Sequence, residues 1–242
     1  MTPSLFNKFP KHRPALDARY QKIYRQEYIR SREGLSFIND LAQRVESWMH
    51  RTASREKADR VLEIGAGSLN HFKYETCKSY EIVEPMKFLY QDKNELQYIE
   101  KIYSDISEIK PDIHYDKIVS IATFEHIRDL PFVVARAGTL LADDGCLACG
   151  IPTEGGFLWG ASWRMTTGLV FRMRTGLSYK KIMDHEHLNN AAEIESIIRY
   201  FFDDVTIRRF PFNLKHLSLF TFLSARKPKV NLCDEFLANY EG

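Results

Sequence analysis

Five short apolar segments, separated by helical patterns, limit what this chain can fold into more than any other feature. They are residues 60–64, 80–84, 97–103, 115–121 and 145–151. An alternation of strands and helices produces right-handed crossovers, which predict a parallel sheet with helices on both faces. Because ligands bind such sheets at the carboxyl ends of the strands, functional residues are expected in the loops that follow these segments.

Two further strands are predicted beyond the fifth segment. Residues 203–210 and 217–225 are joined through Pro211, and their closeness in the sequence favours antiparallel pairing. Helical spacing is predicted in residues 15–49, 130–141 and 193–202. Gly34 is expected to divide the first of these stretches into two helices. The chain from residue 227 onward is expected to be loosely held.

The composition is that of a soluble globular protein. Of the 242 residues, 44% are hydrophobic and 27% are charged, which excludes a disordered chain and a disulfide-stapled miniprotein. Lys and Arg number 34 against 32 Asp and Glu, so the net charge of +2 gives no global field for nucleic acid, and no nucleic-acid partner is expected. The distribution is uneven, since residues 1–60 hold 13 of the basic residues and 7 of the acidic ones.

The cysteines and the chain start indicate where the protein works. Cys146 and Cys149 have the spacing of a zinc knuckle or a thioredoxin motif, but they lie inside an apolar run without a second Cys/His pair, which favours core thiols. Unpaired buried thiols suit a reducing cytoplasm. The polar start of the chain predicts no signal peptide, and the sequence contains no run of ~18 uncharged apolar residues. The expected location is therefore cytoplasmic.

The strongest local signal is a strand that ends in the sequence Val-Leu-Glu-Ile-Gly-Ala-Gly-Ser, residues 61–68. Gly65 and Gly67 let the backbone turn tightly and approach a ligand without an intervening Cβ. A dinucleotide-binding loop would have a third glycine at position 70, where this chain has Asn70. Glu63, two residues before Gly65, suits a cationic ligand better than a pyrophosphate.

This segment resembles the first motif of the class I S-adenosylmethionine-dependent methyltransferases, in which an apolar strand and an acid precede Gly-x-Gly-x-Gly. The chain matches at Glu63, Gly65 and Gly67 and has Leu69 where the third glycine is usual. The resemblance implies an α/β fold: a Rossmann-like, doubly wound, seven-stranded sheet, mostly parallel with an antiparallel last strand, and helices on both faces. It also implies that the chain is a methyltransferase and that its cofactor is S-adenosylmethionine.

The resemblance places the nucleoside of this cofactor at the ends of the second and third strands. Glu84, 19 residues after Gly65, would accept hydrogen bonds from the two ribose hydroxyls, an acceptor pair that matches a diol. Asp105 would accept one from the adenine amino group, and the backbone N–H of Ile106 would bond the adenine ring.

The resemblance also implies contacts to the methionine part of the cofactor. Thr123 belongs to the loop at 122–127, which in the family runs under that part. An N-terminal Tyr or Arg often meets the methionine carboxylate, and Tyr24 is the candidate in this chain, with aromatic packing as the alternative. The predicted cofactor site is therefore Glu63, Gly65, Gly67, Glu84, Asp105, Ile106, Thr123 and Tyr24.

An insertion at residues 153–190 is expected to cover the mouth of the pocket. Residues 157–181 contain five Lys or Arg, no acid, and two of the chain's three tryptophans. This mixture of basic and aromatic residues suits an anionic acceptor, stacking on a sugar ring, or rest on an acidic membrane surface. The alternative is a helical hairpin that covers the sheet edge with solvated arginines.

Three histidines are candidates for the general base that a hydroxyl acceptor requires, because imidazole titrates near neutrality. His126 lies in a Glu-His sequence after the fourth strand, and His185 and His187 precede the last predicted helix. His185 and His187 would face the same side of an extended stretch, but a structural loop is favoured over a metal site, so no metal is expected. The residues alone do not decide among the three.

These features divide the chain into a helical segment at 1–54, a methyltransferase domain at 55–227 that includes the cover, and a tail at 228–242. The expected reaction is methyl transfer to an oxygen of a sugar, a lipid-linked glycan or a small hydroxylated metabolite. N-methylation of a small molecule and a non-catalytic methyltransferase-like binding protein are the alternatives. The expected partner is a small-molecule or glycan acceptor, and an anionic acceptor is one possibility. Peripheral contact with a membrane surface through 157–181 is another. The sequence does not indicate the oligomeric state.

Overall fold

The computed structural model describes residues 4–23 and 47–240, which are built around a seven-stranded sheet. The strands are β1 (Arg60–Ile64), β2 (Ser79–Val83), β3 (Lys101–Tyr103), β4 (Tyr115–Ile121), β5 (Leu141–Pro152), β6 (Phe202–Pro211) and β7 (Ser218–Pro228). They lie in the order β3-β2-β1-β4-β5-β7-β6. β1 to β5 pair in parallel, whereas β7 runs antiparallel to both β5 and β6. The predicted fold class is confirmed.

The order of the strands reverses between β1 and β4. The chain moves outward from β1 to β3 and then returns to the other side of β1. The loops that follow these two neighbouring strands therefore diverge and leave a crevice at the carboxyl edge of the sheet. In open α/β sheets a ligand binds at this switch point.

Helices cover the sheet and extend beyond it. They are α1 (Leu130–Thr139), α2 (Phe157–Trp163), α3 (Leu169–Thr175), α4 (Lys180–Glu186), α5 (Ala191–Phe201) and α6 (Val230–Ala238), with residues 18–23 and 47–53 also helical. Asn190 caps α5 in a capping box, because the Asn190 side chain accepts from the N–H of Glu193 and the Glu193 side chain accepts from the N–H of Asn190. Within residues 4–23 and 47–240, no helix has the length and apolarity to cross a bilayer.

The core lies on both faces of the sheet, since successive side chains of a strand point to opposite faces. Leu62 and Ile118 belong to the layer formed with α1, α5 and α6, whereas Val61 and Val119 pack with the helical residues 47–53 on the other face. Both faces are therefore buried. This burial explains why the central strands are continuous apolar runs rather than alternating ones.

Two predictions about chain segments are wrong. The third strand begins at Lys101 and not at residue 97, because Asn94–Tyr98 form a 3₁₀ turn. The tail is not loosely held, because α6 packs against α1 and the side chain of Cys233 is fully buried there. The contact is so close that a Cβ on Gly138 of α1 would lie 2.9 Å from Cys233 Sγ.

The insertion after β5 is helical, and it packs against the start of the chain. α2 and α3 form one run joined by a wide π-type turn at Arg164–Gly168, and α4 follows. Leu16 and Tyr20 form a small separate core with Phe171 of α3 and Ile182 of α4. The predictions for Tyr24 and Gly34 lie outside the described residues.

Candidate functional site

The glycine loop leaves β1 in the left-handed region of backbone space. Gly65 has a φ of +75° and Gly67 a φ of +52°, which residues with a Cβ rarely adopt. A Cβ on Gly65 would meet Thr123 Cγ2 at 2.2 Å, so a side chain here would push the loops after β1 and β4 apart. A Cβ on Gly67 would meet nothing within 4 Å, so the backbone of Gly67 faces open space that a ligand can enter.

Leu69 stands where the resemblance would place a third glycine, and it also has a positive φ, of 61°. A left-handed conformation costs a residue with a Cβ roughly 1–2 kcal/mol. The Leu69 side chain is buried in the layer beneath the loop, together with Met49 and Ile82. Its burial offsets the backbone strain, and the loop keeps the path that the two glycines begin.

Glu84 follows β2 and holds the glycine loop in place. One carboxylate oxygen accepts from the N–H of Gly67 at 2.8 Å, and the other accepts from the N–H of Met86 at 2.9 Å. The residue is only 4% exposed. Because an ionised carboxylate can accept about four hydrogen bonds, these two leave capacity for a ligand with paired donors.

Asp105 and Ile106 follow β3. Asp105 is exposed, and its carboxylate accepts from the N–H of Ser107 at 2.8 Å, which caps a short 3₁₀ turn. The Ile106 side chain is buried. Since β3, β2, β1 and β4 are consecutive in the sheet, Asp105, Glu84, the glycines and Thr123 follow one another along its carboxyl edge.

Glu63 lies below the loop in a buried polar layer. Its carboxylate accepts from the Tyr80 hydroxyl at 2.8 Å, and burial raises the pKa of Glu63 to about 7. Close to it, Glu75 is held by His71 and by Lys117, each at 2.7 Å. The role of Glu63 toward a cationic ligand stays a prediction.

Segment 186–190, at the end of the cover, fixes the turn after β4. The Asn189 side chain donates to the carbonyls of Phe124 and Ile127 at 2.8 and 2.7 Å, and it is fully buried. The N–H groups of Leu188 and Asn189 both donate to the carbonyl of Glu125. Four hydrogen bonds therefore hold the turn that carries His126.

His126 is held as a neutral imidazole with a defined tautomer. Nδ1 lies 2.7 Å from the backbone carbonyl of Glu186, which can only accept, so Nδ1 carries the proton and Nε2 carries the lone pair. Burial and the charge of His187 lower the pKa of His126. One third of the side chain is exposed, so an acceptor can reach the ring.

The other two histidines have different partners. The His187 Nδ1 bonds the carboxylate of Glu154, and this contact raises the pKa of His187 although burial opposes it. Its ring meets His126 edge-on, with centroids 4.8 Å apart. His185 Nδ1 lies 2.6 Å from the carbonyl of Pro14 and so joins the cover to the N-terminal segment. His126 and His187 thus lie together, whereas His185 faces Pro14.

A cavity of about 430 Å³ lies under the cover, and of these histidines His187 lines it. His187 and Glu154 line one part of it, and Trp159, Trp163 and Arg164 of the cover line another. Among the residues that the structure describes, no three His, Cys, Asp or Glu side chains are grouped as metal ligands. The cavity combines aromatic surfaces with polar groups, as small-molecule sites do.

Three residues at this site escaped prediction. Arg13 donates to the carbonyls of His126 and His185, Asn189 holds the turn after β4, and Glu154 pairs with His187. Arg13 and Glu154 belong to no sequence motif that would mark them as site residues. The Asn189-Asn190 pair does signal a helix start, but only Asn190 caps α5.

The left-handed glycine loop and the acids that follow β2 and β3 define a nucleoside-binding α/β domain of the methyltransferase type. The family described as "Methyltransferase domain" matches residues 36–197, more than half of the chain. The chain therefore belongs to this family and is a class I S-adenosylmethionine-dependent methyltransferase. A search among curated proteins found no match.

Solved structures share the fold at low sequence identity. The N-methyltransferase NodS from Bradyrhizobium japonicum WM9, bound to S-adenosylhomocysteine, is 15% identical with a TM-score of 0.56, covering 88% of this chain and all of NodS. The 1,6-didemethyltoxoflavin-N1-methyltransferase from Burkholderia thailandensis is 15% identical with a TM-score of 0.54, covering 90% of this chain and 93% of that one. An O-methyltransferase family protein from the same organism is 12% identical with a TM-score of 0.53, covering 78% and 56%.

S-adenosylmethionine is the cofactor of this chain, and the residues present fit its nucleoside. Gly67 leaves its backbone open, and Glu84 retains acceptor capacity for a ribose diol. The exposed Asp105 is the acceptor available to the adenine amino group. These residues would hold the nucleoside. The Thr123 hydroxyl donates to the carbonyl of Gly65, and its loop would meet the methionine part of the cofactor.

Proposed function

We propose that this chain transfers a methyl group to a hydroxyl of a sugar, a lipid-linked glycan or a small hydroxylated metabolite, with His126 as the general base. The single observation that carries the proposal is the state of His126. Its Nδ1 proton is committed to the carbonyl of Glu186, its pKa is lowered, and its Nε2 is therefore a free base at neutral pH. The ring lies on the turn after β4, at the switch point of the sheet.

The cofactor and the protein contribute different parts of the methyl-transfer reaction. When bound, S-adenosylmethionine supplies an electrophilic methyl group and a neutral leaving group. The protein must align the acceptor, exclude water and, for a hydroxyl, remove a proton. His126 Nε2 takes that proton, and the Glu186 carbonyl stabilises the imidazolium through Nδ1–H. A hydroxyl acceptor needs this base during the transfer step, whereas an amine that has already lost its proton attacks through its own lone pair.

The cavity beside His187 supports a hydroxylated acceptor. The Trp159 and Trp163 rings lie 6.3 Å apart, and the Arg164 guanidinium lies over the Trp163 ring. Aromatic rings offer flat apolar surfaces to a sugar, and the surrounding charged and imidazole groups can bond its hydroxyls. Lys180, Asp184 and His216 are among these lining groups.

N-methylation of a small molecule is the second candidate function. Two of the three solved structures described above are named N-methyltransferases, NodS and the 1,6-didemethyltoxoflavin-N1-methyltransferase. An N-methyltransferase does not need a neutral base at the position of His126. Removal of that base should therefore abolish transfer to hydroxyl groups and should change transfer to free amines much less.

The test is a methyl-transfer screen with nucleotide sugars and glycosides, each beside the corresponding amino sugar. His126→Asn keeps a side-chain N–H that can donate to the Glu186 carbonyl but removes the base. We expect hydroxyl transfer to fall by about 10²–10⁴-fold in kcat, with unchanged binding of S-adenosylhomocysteine by calorimetry. The matched control, His114→Asn, changes an exposed histidine in the loop before β4. It should leave both the kcat for hydroxyl transfer and the binding of S-adenosylhomocysteine unchanged.

The pH profile adds an independent readout. Because only neutral His126 accepts a proton, wild-type kcat should rise as pH increases through a pKa below the ordinary value of 6.5 and should be level above it. That rising limb should vanish in His126→Asn. Wild-type rates in this variant, or turnover of the amino sugars alone, would contradict the proposal. Binding of the cofactor product without turnover of any acceptor would favour a non-catalytic binding protein.

A further inference from the structure

One edge of the sheet is a long strand. In the part of the chain that the structure describes, β6 is the last strand of the sheet and has ten residues, whereas β3 at the other edge has three. Every second residue of an edge strand directs its N–H and C=O groups away from the sheet, where they can pair with a strand of another chain. Asp204, Thr206 and Arg208 of β6 are exposed. β6 therefore offers a long surface for main-chain hydrogen bonds.

The sequence of β6 is complementary to itself. Residues 203–209 read Asp-Asp-Val-Thr-Ile-Arg-Arg, so an antiparallel copy centred on Thr206 would bring the acids opposite the arginines. The resulting cross-strand pairs would be Asp203–Arg209, Asp204–Arg208, Val205–Ile207 and Thr206–Thr206. Opposite charges, β-branched side chains and paired threonines are all favourable neighbours across two strands.

The charges favour this register over its neighbours. Each pair joins two odd-numbered or two even-numbered residues, so the outward-pointing N–H and C=O groups of one copy meet those of the other. A shift of the partner by two residues would remove every pair between an acid and an arginine. A shift by four would place Asp204 or Arg208 opposite its own copy, and like charges directly opposite each other are destabilising.

Asp204 and Arg208 are available for this contact. Neither forms an ion pair with another residue in the described ranges 4–23 and 47–240. Arg226 lies opposite Asp204 on β7, but its guanidinium donates to the Glu56 carboxylate at 2.7 Å and to the carbonyl of Asp144 at 2.8 Å. Since a two-fold axis forms the Asp204–Arg208 pair twice, it would satisfy these charges in both copies.

The outer pair contributes less to the recognition of a second copy. Asp203 lies 3.4 Å from Lys229, and Arg209 lies 3.4 Å from Glu195, within the same chain. A contact between Asp203 and Arg209 would therefore add to charges that already have partners. Recognition depends mainly on Asp204 and Arg208 and on the main-chain groups between them.

We infer that two copies of this chain pair antiparallel along β6, about a two-fold axis at Thr206. The contact is isologous and joins the two seven-stranded sheets into one continuous sheet. An extended segment of another protein can bond the same main-chain groups, but a second β6 also brings the opposite charges to the matching positions. The residues that would hold the nucleoside follow β1, β2 and β3, so this contact leaves them open.

The test measures the mass of the full chain in solution by sedimentation equilibrium over a range of concentrations. We expect a dimer whose dissociation constant rises with added salt. Asp204→Arg and Arg208→Asp should each raise that constant by about tenfold or more, because each substitution replaces two attractive pairs by two repulsive ones. The variant that carries both substitutions restores opposite charges, and its constant should return to within about threefold of wild type.

A mixture of the two single variants gives the sharpest readout. Asp204→Arg has two cations at these positions and Arg208→Asp has two acids, so each variant repels its own copy and attracts the other. We expect a dimer in the mixture at concentrations at which each variant alone is monomeric. A misfolded variant would not form this dimer. Circular dichroism and the binding of S-adenosylhomocysteine should also match wild type in every variant.

Matched charge reversals elsewhere serve as controls. Lys110 and Asp112 are exposed in the loop before β4, and Lys110→Asp and Asp112→Arg should leave the dissociation constant within about twofold of wild type. A chain that stays monomeric at every concentration would overturn the inference. So would a dimer that neither single variant weakens, because the contact would then lie on another surface. If the mixture stays monomeric like its components, Asp204 and Arg208 do not meet across a two-fold axis.

Discussion

At the scale of single residues, burial of Glu63 disfavours its ionised form. Its ordinary pKa is 4.5, and burial raises that value in the folded chain to about 7. Between these values the folded state holds a proton that the unfolded state has lost, so stability falls as pH rises through this window. Above about 7 both states are ionised, and the folded chain bears the full cost, about 3 kcal/mol.

Glu63→Gln should therefore stabilise the fold at alkaline pH. The amide oxygen can still accept from the Tyr80 hydroxyl, and no charge is buried. We expect a gain of up to about 3 kcal/mol in the free energy of unfolding above about pH 7, and none below the ordinary pKa of glutamate. Urea denaturation of the variant and of the wild type across this pH range measures the gain at alkaline pH and its absence at acidic pH. A loss of stability at alkaline pH would contradict the assigned pKa.

Glu81 on the neighbouring strand supplies the opposite control. It is equally buried, but the Arg60 guanidinium and the hydroxyls of Tyr115 and Tyr103 hold the pKa of Glu81 below its usual range, although burial opposes them. Its ionised form is favoured in the folded chain, so its contribution is present above the ordinary pKa and lost as pH falls. Glu81→Gln should therefore destabilise the chain at neutral and alkaline pH.

At the scale of elements, the segment before α5 positions the turn after β4. Asn189→Ala removes two buried side-chain donors from that turn, and we expect the free energy of unfolding to fall by about 2–3 kcal/mol. Because His126 lies in the same turn, kcat for a hydroxyl acceptor should fall, while the affinity for S-adenosylhomocysteine should change little. The altered turn should also shift the pH profile of kcat.

The adjacent Asn190 gives the matched control for this element. Its side chain caps α5 by accepting from the N–H groups of Ala192 and Glu193, and it makes none of the turn's hydrogen bonds. Asn190→Ala should lower stability by about 1 kcal/mol without moving the pH profile of kcat. If both variants change kcat and the profile alike, the effect comes from α5 and not from the turn.

The strands and helices also show which parts of the fold can be predicted from the sequence alone. Periodicity predicted seven strands, the third of them starting four residues too early, and also α1 and α5, because most of these elements bury a stripe or a face that their own residues reveal. It missed α6, whose burial depends on Gly138 of α1 lying against Cys233, a contact between residues 95 positions apart. In the same way, the glycines and Glu84 were predictable from their spacing along the chain. The hydrogen bonds of Asn189 to the turn after β4 and the Glu154–His187 pair were not, because they form only when the cover packs against the sheet.

At the scale of the whole molecule, the N-terminal segment joins the sheet domain to the cover. Phe6 packs in the main core against Phe201, while Leu16 and Tyr20 pack with α3 and α4. Between them, Arg13 donates to the carbonyl of His126 at 3.0 Å and to that of His185 at 2.9 Å. One guanidinium therefore ties together three parts of the molecule: the start of the chain, the turn after β4 and the end of α4.

Arg13→Ala should loosen the cover while leaving the sheet intact. We expect a modest loss of global stability, about 1–3 kcal/mol for the two charged hydrogen bonds. Trypsin should cleave faster at Arg172 and Arg174 in α3, because the cover opens more often. The kcat for a hydroxyl acceptor should fall more than the affinity for S-adenosylhomocysteine, since the residues that would hold the nucleoside follow β1, β2 and β3, whereas Arg13 bonds the turn after β4 and the end of α4.

Arg19→Ala is the control for this link. Arg19 belongs to the same segment and is exposed, and its contact with the cover is one hydrogen bond to the Thr175 carbonyl at 3.4 Å. Its removal should change neither the cleavage rate nor kcat appreciably. Equal effects of the two substitutions would mean that loss of any N-terminal cation loosens the cover. A specific effect of Arg13→Ala would show that the turn bearing His126 and the cover move as one unit, because a single side chain bonds the backbone of both.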